Sequence, residues 1–184
     1  RLERMFAGML TRKPVRLNET ADSIREHLFD VDLQGNDLNV WTYETTRKMV
    51  RYGHVGVLVD APKSNQGGRP YWVTYTPRDI LGFRTEIIDG QVKFTQLRLQ
   101  EKVSVPDGLY GEKIVDQIRF LTRGGYEIHQ KGKNNKFVKI DEGTTSLPEI
   151  PFSVAYANRL NLLESRPPMA DIAELNLKAY QIQS

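Results

Sequence analysis

Cysteine is absent from the 184 residues. That excludes disulfides, a thiolate nucleophile and sulfur-ligated zinc, and it fits a reducing compartment. Histidine is scarce as well. His27, His54 and His129 lie far apart, and none has a partner at metal-ligand spacing. No apolar run approaches the roughly 20 residues that a membrane-spanning helix needs. The N-terminus lacks the charged-then-apolar layout of a secretory signal. A strong charge of one sign is also missing: the formal net charge is +3, with Lys and Arg interspersed among Asp and Glu. Nucleic-acid binders concentrate basic residues on one face, so this charge permits contact with a polyanion without arguing for it.

What is present is an ordinary folded composition, 39% hydrophobic and 27% charged, enough for one filled core or a main core with a small satellite. The sequence begins at Arg1 rather than Met and stops at Ser184 inside a helical pattern. We therefore expect a piece of a longer chain.

Periodicity divides the sequence into helices, then hairpins, then a helix. Leu2, Met5, Phe6, Met9 and Leu10 recur at helical spacing until Lys13-Pro14 ends the pattern. A short helix is expected over about 20–29, with Ala21, Ile24 and Leu28 on one side. A third is expected over Leu38 to Tyr52, with Gly35, Asn36 and Asp37 supplying the turn and the capping oxygens, and Gly53 the left-handed stop. Trp41, Thr45, Met49 and Tyr52 form one stripe of it. Val55, Val57 and Val59 then mark a mostly buried strand ending at Asp60, and a polar loop fills 61–70. Tyr71 to Thr76 reads as strand, closed by Pro77.

Thr85 to Ile88 and Val92 to Leu99 flank Asp89-Gly90, a pair suited to a type I′ hairpin. A second hairpin is expected from Ile114 to Leu121 and Tyr126 to Gln130, turning at Gly124-Gly125. Phe137 to Ile140 adds a strand, 141–151 reads as turn-rich, and Phe152 to Tyr156 as a short strand. Pro167-Pro168 opens a last helix with Ile172, Leu175, Ala179 and Ile182 as its buried side. The class is α+β: N-terminal helices on a mainly antiparallel sheet of hairpins, followed by a C-terminal helix. The expected parts are a helical 1–53, a β-rich 54–157, and a linker with the start of a helix over 158–184, forming one domain overall.

No residue set completes a reaction centre. Asp60, at the end of an apolar strand, invites a metal or base role but reads more simply as a strand-end residue, and nothing nearby in sequence supplies a partner. Asp79, Glu86 and Asp89 read as surface and turn residues. Gly53 and Gly56 follow a helix and enter a strand, the reverse of a phosphate loop. Trp41, Trp72, Tyr71 and Tyr75 suit a core better than a ligand pocket. The densest basic patch is Lys131, Lys133, Lys136 and Lys139, with Asn134, Asn135 and Phe137 between them. It could touch a phosphate backbone, or protect an edge strand from pairing with strangers. We expect no enzyme, cofactor or metal.

Several pieces, taken in order, resemble the tailed-bacteriophage portal family of head-tail connectors. They are Ala7 to Pro14 with its Arg12-Lys13-Pro14 ending, and the Trp41 helix leading into Gly53 to Pro62. Arg69-Pro70-Tyr71-Trp72, Pro77 to Ile80, Arg84-Thr85-Glu86, Pro148 to Phe152 and the Pro167-Pro168-headed segment through Asn176 follow. The resemblance implies the wing-like body of a portal subunit, with the channel helices and motor-docking part lying mostly beyond Ser184. It implies further a ring of identical copies at a capsid vertex, through which double-stranded DNA is packaged and ejected. The implied partners are other copies of the chain, the terminase motor, and capsid and tail-connector proteins. The implied location is the virion, and the host cytoplasm during assembly.

Two other readings stand beside it. One is a nucleic-acid-binding module on the lysine-rich hairpin 131–139. The other is a metal-dependent hydrolase built on Asp60 with a second carboxylate.

Overall fold

A computed structural model describes residues 2–17, 22–62, 68–132 and 134–183. The chain forms two compact units, one of 1–77 with 152–184 and the other of 78–151. The partition follows compactness rather than element type, cutting across the three parts expected from the sequence.

The first unit opens with helix α1 (Leu2–Leu10), ended by a bond from the Thr11 amide to the Ala7 carbonyl at 2.9 Å just ahead of Lys13-Pro14. Helix α2 is short (Asp22–His27). It stops before Phe29, while Thr20 and Ala21 lie outside the described residues. Helix α3 (Leu38–Tyr52) has the expected bounds. The Asp37 carboxylate accepts from the Val40 amide at 2.8 Å, and Gly53, at φ +88°, closes the helix through its amide on Met49.

Strand β1 (His54–Asp60) follows at once and takes the centre of a three-stranded antiparallel sheet. Its neighbours are β2 (Tyr71–Tyr75) on one side and β8 (Phe152–Tyr156) on the other. Val55 and Leu58 are buried, as are Tyr75, Phe152, Val50, Val31 and Ala7 of the same unit. Trp41 of α3 meets Trp72 of β2 edge to face, 4.8 Å between ring centres. Of the four aromatics expected in the core, Tyr75 is buried, whereas Trp41, Trp72 and Tyr71 are half-buried at its margin. Gly56 is required by packing: a Cβ there would run into the Phe152 ring.

The second unit is a five-stranded antiparallel sheet in sequence order: β3 (Ile80–Ile88), β4 (Gln91–Asp107), β5 (Gly111–Thr122), β6 (Gly125–Lys131) and β7 (Phe137–Thr144). Asp89 and Gly90 both take positive φ (53° and 73°), as a type I′ turn requires. The next expectations need correcting. β4 continues eight residues past Leu99, to Asp107, because Pro106 lies near the hairpin end, where a missing amide costs little. The second turn is Arg123-Gly124, since Gly125 already pairs with Thr122. The stretch 141–144 is the end of β7, not a turn, and it pairs with 125–128. Leu97 and Leu99 are fully buried here.

The region after β8 also differs from the linker expected. A small hairpin, β9 (Arg159–Asn161) with β10 (Glu164–Ser165), precedes helix α4 (Ala170–Gln183). Pro167-Pro168 occupies the turn before α4. The proposed buried side of that helix is mostly uncovered: Ile172 is half-buried, whereas Leu175 and Ile182 are 65% and 85% exposed and Ala179 is exposed. Apolar spacing defines a face, and covering it requires a partner element.

Candidate functional site

The polar candidates come first. Asp60 is held as a strand-end residue: its carboxylate accepts from the Tyr71 hydroxyl at 3.0 Å and from the Ala61 amide at 2.9 Å. Glu86 and Asp89 are exposed, and Asp79 lies in the turn before β3, its carbonyl accepting from the Gln100 amide. Among the described residues, no three His, Asp or Glu side chains gather where they could hold a metal ion.

The histidines do not converge. His129 Nε2 lies 2.8 Å from Glu127 on the same strand. His27 closes α2. His54 Nδ1 lies 2.7 Å from the Ser165 hydroxyl, a contact with no local signal in the sequence, since the two residues belong to β1 and β10. A serine beside an imidazole is the start of a nucleophile–base pair, which also needs a group to orient the base and open space at the hydroxyl. His54 is only 5% exposed and packs against Tyr156, 5.7 Å between ring centres. We assign this pair as a clasp tying the β9–β10 hairpin to β1. Burial lowers the His54 pKa below the ordinary histidine value.

The four lysines of the basic patch have different surroundings. Lys131 lies 3.9 Å from Asp116, and Lys139 lies 2.7 Å from Glu142 and 3.9 Å from Glu127. The bond to Glu142 raises the Lys139 pKa; the bond to His129, and then Lys139, lower that of Glu127. Lys136 is exposed at the hairpin turn, and Lys133 lies outside the described residues. Two of the four cations are thus already matched by carboxylates.

A further feature is apolar. On α1, Met5, Met9 and Leu10 are 54%, 66% and 70% exposed. On α4, Leu175, Leu177, Tyr180 and Ile182 are all at least 60% exposed. Between these helices, over α3, runs a groove of about 320 Å³ lined by Phe6, Leu10, Met49, Val50, Met169 and Ile172. Leu10 and Thr46 connect it to a more polar hollow of about 410 Å³ walled by Arg12 and Lys13. The helical spacing of Leu2, Met5, Phe6, Met9 and Leu10 and of Ile172, Leu175, Ala179 and Ile182 made these two stripes visible in the sequence; Leu177 and Tyr180 lie outside the second. That Phe6 and Leu10 of α1 and Ile172 of α4 would line one groove was not visible, because α1 and α4 stand at opposite ends of the chain.

No family model and no curated protein matches this sequence.

Proposed function

We propose that this chain is a structural subunit that assembles with copies of itself into a ring, as the wing region of a phage portal at a capsid vertex. The observations that carry the reading are the apolar groove lined by Phe6 and Leu10 of α1 and Ile172 of α4, and the exposed apolar side chains elsewhere on both helices. Exposed apolar surface on this scale marks an interaction site. A closed ring needs each copy to offer two different faces, each meeting the other face of its neighbour. The ordered resemblance from Ala7 to Asn176 supplies the setting: DNA passing through the ring, a terminase driving it, and capsid and tail-connector proteins around it. No helix among the described residues is long and apolar enough to cross a membrane.

The test is mass photometry over a wide range of protein concentrations. Closed multimers of one size are expected. Monomers alone at every concentration would refute the reading.

A further inference from the structure

The polar hollow beside the apolar groove is built by the chain segment that leaves α1. Thr11 ends the helix, its amide and its hydroxyl both donating to the Ala7 carbonyl at 2.9 Å. The Val15 amide donates to Asn39 Oδ1 at 3.0 Å, which fastens the segment to α3. Arg12 and Lys13 lie between these two anchors, and both line the hollow together with Asn39 and Thr42. Among the described residues neither cation meets a carboxylate, and no Asp or Glu lines either cavity. The cations of α3 differ: Arg47 lies 2.6 Å from Glu44 and 3.9 Å from Glu3, and Arg51 lies 3.8 Å from Glu3. Two unmatched positive charges on the wall of one hollow favour an anion.

The hollow shares Leu10 and Thr46 with the groove lined by Phe6, Met49, Met169 and Ile172, and no charged side chain lines that groove. At about 410 Å³ and about 320 Å³, each falls within the roughly 300–1,000 Å³ of small-molecule sites. A cavity of about 150 Å³ takes one benzene, so the groove accommodates an alkyl chain of roughly a dozen carbons. The hollow has more room than a carboxylate fills. An Arg beside a Lys offers a guanidinium fork and a point charge, the two groups that hold phosphate. A wholly apolar ligand answers only the groove, and inorganic phosphate only the hollow.

We infer that the joined cavities bind a single-chain alkyl phosphate, the chemistry of a lysophospholipid, with its tail in the groove and its phosphate at Arg12 and Lys13. Burial of the tail supplies most of the affinity, and the two cations fix which end lies where. This goes beyond the ring reading and does not depend on it. Met5, Met9, Leu175 and Ile182 are exposed and do not line the groove, so a seated ligand leaves them uncovered for contacts between copies.

The probe is dodecyl phosphate, titrated into the whole chain by calorimetry below its micelle concentration. One molecule per chain is expected, bound at least about tenfold more tightly than hexyl phosphate or an uncharged dodecyl ethylene glycol ether. Equal affinity for hexyl phosphate overturns the tail site, equal affinity for the uncharged ether overturns the phosphate site, and absence of binding overturns both. Arg12→Ala with Lys13→Ala alters only exposed side chains, so the fold, checked by circular dichroism, should persist. Affinity for dodecyl phosphate should then fall at least about tenfold. Ile172→Trp fills the groove from a half-buried position and should abolish binding with the same fold retained. Unchanged binding in either folded variant places the probe elsewhere and overturns the inference. Mass photometry of the same samples decides the ring reading separately: monomers that bind one probe each refute the ring and support this site.

Discussion

His54 Nδ1 and the Ser165 hydroxyl meet at 2.7 Å although 111 residues separate them. The contact fastens the small hairpin before α4 to the first residue of the central strand of the first unit. It also places a titratable ring where water is largely excluded.

That placement gives the fold a pH dependence of known sign. The folded-state pKa of His54 is lowered by burial from 6.5, so the unfolded chain binds the proton more readily. Its contribution to stability is therefore fully present above about 6.5 and is lost as pH falls through the lower folded value. The urea midpoint should be flat from about pH 8 to about pH 7 and decline below that. His54→Gln should flatten the decline. An equally steep decline in the variant would assign the effect to other groups.

Gly56 lies under the Phe152 ring, across the β1–β8 pairing. Gly56→Ala should cost about 1–3 kcal/mol by overpacking. Phe152→Leu opens space at the same spot, so the double variant should lose less than the sum of the two single losses. Strict additivity in a double-mutant cycle would contradict the close packing described.

Glu101 gathers a polar network across β4 and β5. Its carboxylate accepts from Gln117 at 2.6 Å and from Arg119 at 2.9 Å, and Gln117 in turn accepts from Gln130 at 3.0 Å. Gln117 is 6% exposed. Glu101→Ala leaves a buried amide donor and a guanidinium short of an acceptor, and should cost roughly 1.5–3 kcal/mol in chemical denaturation. Glu101→Gln should recover part of that loss. A neutral result for the alanine variant would mean water satisfies the network equally well.

The lysine-rich hairpin makes the competing reading testable. With Lys131 and Lys139 beside carboxylates, replacing Lys131, Lys133 and Lys136 by glutamine should change duplex-DNA affinity less than about tenfold. The dependence of log K on log salt should stay shallow, since each neutralised phosphate contributes roughly 0.9 to that slope. Lost binding, with a slope reduced by about 2–3, would establish this hairpin as a nucleic-acid interface.

The sequence by itself determined what is local. Asp37 and Gly53 bound α3, Asp89-Gly90 makes its turn, and β1, β2 and β8 run close to where their residues say, because capping oxygens, positive φ and alternation act within a few residues of the chain. Of the four aromatics read as core, Tyr75 is buried and Trp41, Trp72 and Tyr71 are half-buried. Only the tertiary structure decided that β8 pairs with β1, that Ser165 meets His54, that β4 and β5 extend past their neighbours as an arm, and that α1 and α4 border one groove. Side-chain periodicity says which face of an element is apolar. It does not say which distant segment will cover that face, or whether any segment of the same chain will.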